Sequence, residues 1–320
     1  MDPLVSVVVP CHNAVSWLEA AISSVRAQTW TRIETILVDD GSVDGSGELA
    51  DRLAGPDIRV LHQEKKGQCA ALNAGLESAQ GDFIQYLDAD DLLAPEKVSI
   101  QLARLRDEPP GWIASGAWAR FQDDPSAAVF EAEPVWRDLA PVDWLVTSWT
   151  GGGMMHGAAW LCTRSVVNSA GPWNESLTLI NDLDYFSRLL LASGGIAFCP
   201  GARTYYRSNV AGSLSRQTTR GAWESAFKAT ELSIGAILAR EDSTRVRKAC
   251  AVNLQRLVYG AYPSAPDLVA GAERRIAELG GTDLPPSGGA AFLKLAGVFG
   301  WKFARRAQLV GRRLGGRGAT

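Results

Sequence analysis

Two acidic clusters, Asp39-Asp40 and Asp88-Ala89-Asp90-Asp91, each follow a short run of β-branched and apolar residues. A lone acidic pair after a strand closes a turn or caps a helix as readily as it builds a site. Two such clusters at strand ends that face one crevice favour a site. In extended backbone, side chains two residues apart point the same way, so Asp88 and Asp90 can converge while the small Ala89 stays out of the way. Carboxylates arranged like this can hold Mg²⁺ or Mn²⁺ and leave positions open for phosphate oxygens. A metal in that place offsets the charge that a leaving diphosphate carries off a sugar-nucleotide donor.

The elements that must position these clusters are legible as alternating patterns. Strands are predicted over 5–9, 33–38, 58–61 and 83–87, with helices carrying Leu18, Ile22 and Val25, ending near Leu53, and covering 67–79. Strands alternating with helices predict an α/β fold, a mostly parallel Rossmann-like sheet with helices on both faces and ligands at the carboxyl ends of the strands. Further strands are expected around 112–119, 158–163 and 203–206. The glycine-rich stretch 149–156 is either a mobile loop over a site or a connector. From about Gly221 the pattern is helical.

Composition narrows the class. Hydrophobic residues make up 46% and charged residues 21% of the 320, ordinary for a globular protein, and no apolar run is long enough to span a bilayer. The first ten residues read as a strand and lack the features of a signal peptide. The five cysteines are dispersed without a C-x-x-C pair, which argues against disulfides and zinc and for a cytoplasmic setting. Net charge is −3, and the segment from Ser287 onward holds seven basic and no acidic residues, leaving −10 on the remainder. An acidic body argues against nucleic acid as a partner. Within the tail, Phe292, Phe299, Phe303, Val310 and Leu314 segregate from Lys294, Lys302, Arg305, Arg312 and Arg313 at 100° per residue. That pattern suits a helix lying peripherally on an anionic membrane, or one packing its apolar face on the main domain.

Five blocks, VSVVVPCHN at 5–13, ILVDDGSVDGS at 36–46, GQCAALNAGL at 67–76, GDFIQYLDADD at 81–91 and NDLDYFSRLLLA at 181–192, resemble in order those of glycosyltransferase family 2, whose members are inverting enzymes of the GT-A fold. The resemblance implies a catalytic domain over 1–215, with a nucleotide-binding half to about 110 and an acceptor half beyond it, followed by a helical region over 216–320. It implies a nucleotide-sugar donor, a UDP-sugar by expectation, and a glycan, lipid-linked or small-molecule acceptor. Pro10 and Asn13 would then lie by the nucleotide, Asp40 would bond the base, Asp88 would face the ribose and Asp90 would ligate Mn²⁺ or Mg²⁺. Asp182 takes the family's catalytic-base position and is the choice for the base; the weaker alternative is that it only caps its helix. Asp184, two residues on and within reach of Arg188, is the reserve candidate. Three positions depart from the family's usual pattern: Asn181 replaces an acid, Leu72 an arginine, and Asn209 a histidine that can meet metal or phosphate, where Asn209 is expected to join Asp90 as a metal ligand through its amide oxygen.

His12 could stack on a base or serve as an ordinary loop residue. With eleven tryptophans in the chain, Trp149 and Trp160 are better read as core than as sugar platforms. A sugar nucleotidyltransferase would need a glycine-rich basic loop after the first strand, and a dehydrogenase a G-x-G-x-x-G there; Pro10-Cys11-His12-Asn13 offers neither. A degenerate relative that binds nucleotide or glycan without transfer is the non-enzymatic alternative.

Overall fold

The computed structural model describes residues 2–154, 156–209 and 217–315, with side chains as far as residue 310. The proposed boundary at 215 lies outside the described residues. The chain opens with β1 (Val5–Cys11), α1 (Leu18–Arg26), β2 (Ile33–Asp40), α2 (Ser46–Leu53), β3 (Ile58–Gln63), α3 (Gln68–Ser78) and β4 (Phe83–Tyr86). These four strands are parallel, and β1 is buried at every position, as expected of a strand covered on both faces.

The second stretch contains β5 (Leu92–Leu93), α4 (Lys97–Arg106), β6 (Trp112–Phe121), α5 (Pro141–Trp149), β7 (Cys162–Thr163), α6 (Arg164–Ala170), α7 (Asn181–Ala192) and β8 (Gly195–Arg207). The first sheet has the order β3-β2-β1-β4-β7, with β7 antiparallel, and a smaller sheet has the order β5-β8-β6. Two strand expectations change. The strand expected around 203–206 is longer, covering Gly195–Arg207: Gly116 pairs with Cys199 and Ala117 with Arg203, so residues 200–202 bulge out of the ladder. Segment 158–163 is a short 3-10 turn over Gly157–Ala159 followed by the two-residue β7. Its carbonyls go to buried side chains instead of a strand ladder: Gln85 reaches Ala158 O (2.8 Å), Gln101 Ala159 O (2.8 Å) and Lys97 Trp160 O (3.2 Å).

The helical region consists of α8 (Arg220–Arg240), α9 (Thr244–Ala261), α10 (Pro266–Glu278), α11 (Ala290–Phe299) and α12 (Trp301–Gly315). Helix α8 packs on α7, and α9 packs on both α5 and α8. Ile234, Cys250 and Leu254 accordingly share one core with Tyr86, Trp160 and Tyr185. The expected single tail helix is two, broken at Gly300, whose φ of 81° L side chains rarely adopt. Phe292 and Ala304 are buried, whereas Phe299, Phe303 and Val310 are 62%, 52% and 56% exposed. The tail therefore packs one apolar side on the body and leaves a second uncovered. The side chains of Arg312, Arg313 and Leu314 lie outside the described residues. No described helix is long and apolar enough to cross a membrane.

Lys97 is fully buried, donating to Gln85 and to Trp160 O. Burial pushes its ammonium down from 10.5 to about 7. Above pH 7 the unfolded chain keeps a proton on this lysine that the folded chain releases, so the group makes stability rise with pH up to its unfolded value. In urea unfolding at pH 7, 8 and 9, the wild type should gain up to about 1.4 kcal/mol per pH unit relative to Lys97→Met. Parallel pH profiles would mean that Lys97 stays protonated in the fold.

Candidate active site

The parallel register brings the carboxyl ends of β1, β2 and β3 level, with Cys11 opposite Asp39 and Asp40 opposite Gln63. Pro10 is buried in β1 beside Val38. Asn13 follows with a φ of 52°, and its Oδ1 accepts from Val43 N at 2.9 Å, tying the first crevice loop to the second. Asp40 is 3% exposed and accepts from Gln63 Nε2 (2.7 Å), Lys66 N (2.7 Å) and Gly67 N (2.8 Å). The protein thus uses this carboxylate to shape the turn into α3, and a base would have to share what lone-pair capacity remains. His12 Nε2 faces Lys65 Nζ at 2.8 Å, a group that only donates, so the imidazole proton sits on Nδ1 and goes to Asp40 O at 2.8 Å. That arrangement places the Lys65 ammonium beside the crevice.

Beyond β4 the backbone is not extended through the second cluster. It turns at Ala89-Asp90, and Asp91 N donates back to Asp88 O at 3.0 Å. This turn, rather than a strand's two-residue period, sets the directions of the carboxylates. The potential ligand atoms that come together, all within 4.8 Å of one another, belong to Asp88, Asp91 and His156, and Asp90 is outside that group. Arg207, the last residue of β8, anchors the turn: its N–H donates to Asp91 Oδ1 (2.7 Å) and its Nε–H to Asp90 O (2.9 Å). Asn209, two residues further on, has a left-handed φ of 65°.

Burial and the nearby charges of Asp90 and Asp182 push Asp88 up to about 7, against a hydrogen bond from Gln68 Nε2 at 2.9 Å. Asp91 is fully buried and raised well above the carboxylate range by burial and its acidic neighbours. Its Oδ2 lies 3.1 Å from His156 Nε2 but forms no well-aligned hydrogen bond among the described residues. An unsatisfied buried oxygen among crowded carboxylates fits a hard divalent cation. His156, stacked on Tyr206 at 4.6 Å, is pushed down to about 4 by burial and the Arg120 charge, and is therefore neutral. Its Nδ1 accepts from Ala158 N at 3.3 Å, which leaves the proton on Nε2 facing Asp91. In that tautomer His156 buttresses Asp91; moving the proton to Nδ1 gives up one long hydrogen bond and makes Nε2 a third ligand.

Asp182 sits in the first turn of α7 and lines a cavity of about 540 Å³. Its side chain reaches solvent, yet the cavity walls surround it with protein, and this desolvation pushes its carboxyl upward. It is held from behind. Asn181 Oδ1 accepts from Asp182 N (2.8 Å), while Asn181 Nδ2 meets Gln68 Oε1 (3.2 Å). Gln68 therefore bridges Asp88 and the start of α7. The residue before this pair, Ile180, has a φ of 49°, strained for a β-branched side chain. Ser225 of α8 holds the preceding loop, with its Oγ accepting from Thr178 N (2.8 Å) and Leu179 N (3.0 Å). Asp184 is buried and paired with Arg188 at 2.9 Å. The glycine-rich stretch is more than a connector: Gly151, Gly153 and Met154 line the same cavity as Asp182. Trp149 and Trp160 are 3% and 1% exposed, core residues as expected.

Sequence reasoning missed Asp91 as a candidate ligand, together with Lys65, Gln68, His156 and Arg207. Asp91 had been grouped with the acidic cluster without a role. His156 and Arg207 converge on it from 65 and 116 positions away along the chain, a distance that local pattern does not span.

Glycosyl transferase family 2 matches residues 6–168, and the chain belongs to that family. The GlyG glycosyltransferase of Streptococcus pneumoniae is 40% identical over 111 residues, covering 34% of this chain and 37% of that protein. The chain spans less than two thirds of the length of the curated relatives it matches. Among solved structures, TarS 1-349 of S. aureus in complex with UDP-GlcNAc superposes with a TM-score of 0.71 at 14% identity, over 96% of this chain and 92% of that one. The mannosyltransferase PcManGT of Pyrobaculum calidifontis, in complex with GDP-Man and Mn²⁺, gives 0.53 at 17% identity over 87% and 81%. The fold is GT-A, as the sequence resemblance implied.

Asp91→Asn keeps an acceptor for Arg207 N–H while removing the charge. Calorimetric titration with Mn²⁺ should show affinity falling by roughly tenfold or more, since ligand charge sets affinity at such sites. Unchanged affinity would take Asp91 out of the ligand set.

Proposed function

We propose that this chain is an inverting glycosyltransferase, moving a sugar from a nucleotide-diphosphate sugar to a hydroxyl of a glycan, lipid-linked or small-molecule acceptor. The observation that carries the reading is that Asp182 lines the cavity beside the acidic turn, with Gln68 joining Asp88 to the neighbouring Asn181. A base facing a donor site across an open cavity suits single displacement. The acceptor oxygen attacks the anomeric carbon, its proton passes to Asp182, and the carbon–oxygen bond to the diphosphate breaks with its electron pair leaving on phosphate. Desolvation favours this step, because a carboxylate of raised pKa takes a proton more readily near neutrality.

Asp88 and Asp91, with His156 as third donor, would hold Mn²⁺ or Mg²⁺; Asp90 adjoins Asp91, and Asn209 lies two residues beyond Arg207, which grips the acidic turn, so both could join. A cation so bound supplies charge compensation for the departing diphosphate. Lys65 is a second source of positive charge near the nucleotide end, useful because Leu72 supplies none. Pro10, Asn13 and Asp40 form the nucleotide wall. UDP is the favoured nucleotide, supported by the extent of the likeness to TarS, which was crystallised with UDP-GlcNAc. The domain division follows the same reading: a catalytic domain to about residue 215 and a helical region that completes the cavity.

Asp182→Asn should cut transfer by about 10²–10⁴-fold while calorimetric affinity for UDP in Mn²⁺ stays within twofold of wild type. Retained turnover would remove Asp182 as the base, and failure of the wild type to bind UDP, GDP or dTDP would favour a degenerate relative.

The exposed strip on α11 and α12 supports peripheral contact with an anionic bilayer. Phe299 and Phe303 lie 5.2 Å apart at the break, and Arg306, one turn on from Phe303, is exposed with its guanidinium 5.6 Å from the Tyr262 ring centre. The double substitution Phe299→Ser, Phe303→Ser should reduce co-sedimentation with phosphatidylglycerol vesicles several-fold, with little pelleting on phosphatidylcholine in either protein. Equal pelleting of variant and wild type on the anionic vesicles would refute the contact.

A further inference from the structure

The cavity that holds Asp182 is walled by the Glu133 loop, α5, the glycine-rich stretch, the start of α7, and Asn253 and Arg256 of α9. The last two lie outside the segment that matches the family, which ends at residue 168. The volume of about 540 Å³ falls in the range of small-ligand sites. Much of the wall is apolar, so the few polar groups decide what fits.

They include two acids, Glu133 and Asp182, and one cation, Arg256. Ser187 Oγ, Trp144 Nε1 and Asn253 Nδ2 have no hydrogen-bond partner among the described residues, but all three atoms are covered by their neighbours and do not open on the cavity. Arg256 is exposed and makes no hydrogen bond or ion pair among the described residues. Its guanidinium lies beside Gly151, where a Cβ would stand 3.0 Å from Nη2, and the φ of 107° there also excludes other residues. The two acids of the wall are already assigned. Asp182 is the proposed base, and Glu133 accepts from Met154 N at 3.1 Å. Arg256 is thus the one charged group of the wall that has neither a partner among the described residues nor an assigned role.

Building on the transferase reading, we propose that the acceptor carries an anionic oxygen group, a carboxylate or a phosphate, which Arg256 receives while the nucleophilic hydroxyl meets Asp182. A neutral hydroxyl gains little from a guanidinium. A carboxylate or phosphate takes two parallel N–H bonds from it. Acceptor choice is in this way assigned to α9, in the helical region, and donor binding to the acidic crevice.

The test uses the full chain with Mn²⁺, saturated with UDP in the calorimeter cell. Binding of methyl glucoside is compared with methyl glucuronide, and of glucose with glucose 6-phosphate. The charged member of at least one pair should bind about tenfold tighter; which pair responds identifies carboxylate or phosphate. Arg256→Gln should erase the difference and Arg256→Lys retain part of it, with thermal melting confirming that the variants fold. Equal affinity within both pairs, no binding of either charged sugar, or a preference that survives in Arg256→Gln overturns the assignment. Wild type that binds no UDP defeats the transferase reading and the acceptor with it, whereas UDP binding without charge preference defeats the acceptor class alone.

Discussion

Four carboxylates, Asp88, Asp90, Asp91 and Asp182, face one crevice, and holding negative charge together in partly desolvated surroundings is costly. Much of the architecture is arranged around that cost. The smaller sheet delivers Arg207 from the end of β8 to two successive residues of the acidic turn. Helix α3 contributes Gln68, which donates to Asp88 and accepts from Asn181. A glutamate in place of Asn181 would bring a fifth charge into the group and lose that donor. The departure from the family's usual acid is consistent with the local hydrogen bonding of this chain.

The side of the crevice that holds Asp182 depends on structure far away in sequence. Ile180 in the left-handed region costs on the order of 1–3 kcal/mol and persists only where its surroundings impose it. The imposition comes from Ser225, which takes two N–H groups of the preceding loop and donates to Leu179 O at 3.1 Å. The reactive end of α7 is thus aimed by α8, while α9 completes the cavity it faces. The tail contributes differently, burying Phe292 and Ala304 against the body while Phe299 and Phe303 remain open to solvent.

The four parallel strands and the two acidic clusters were legible because their signals are local: β-branched runs bounded by turn residues, each ending in carboxylates. Even there, one inference from periodicity failed. Asp88 and Asp90 were expected to converge as alternate residues of a strand, but the chain turns at Ala89 and brings Asp91 beside Asp88. The strand expected around 203–206 begins already at Gly195, and the structure absorbs Pro200 and Gly201 within it as a bulge. His156 and Arg207 carry no local mark of their role, since a lone histidine in a glycine-rich stretch and an arginine at a strand end gain significance only through the side chains they meet.

The clasp between Ser225 and the loop before α7 also bears on how such proteins diversify. A helical region that merely hung from a catalytic core could be exchanged among relatives as a cassette, altering partners and leaving chemistry alone. Here the same helices that furnish cavity walls also fix the strained backbone ahead of Asp182, so a graft would disturb recognition and reactivity together. Inheritance should therefore keep α7, α8 and α9 as a co-adapted unit, with change entering more freely through the surface of α10 and the helices after it.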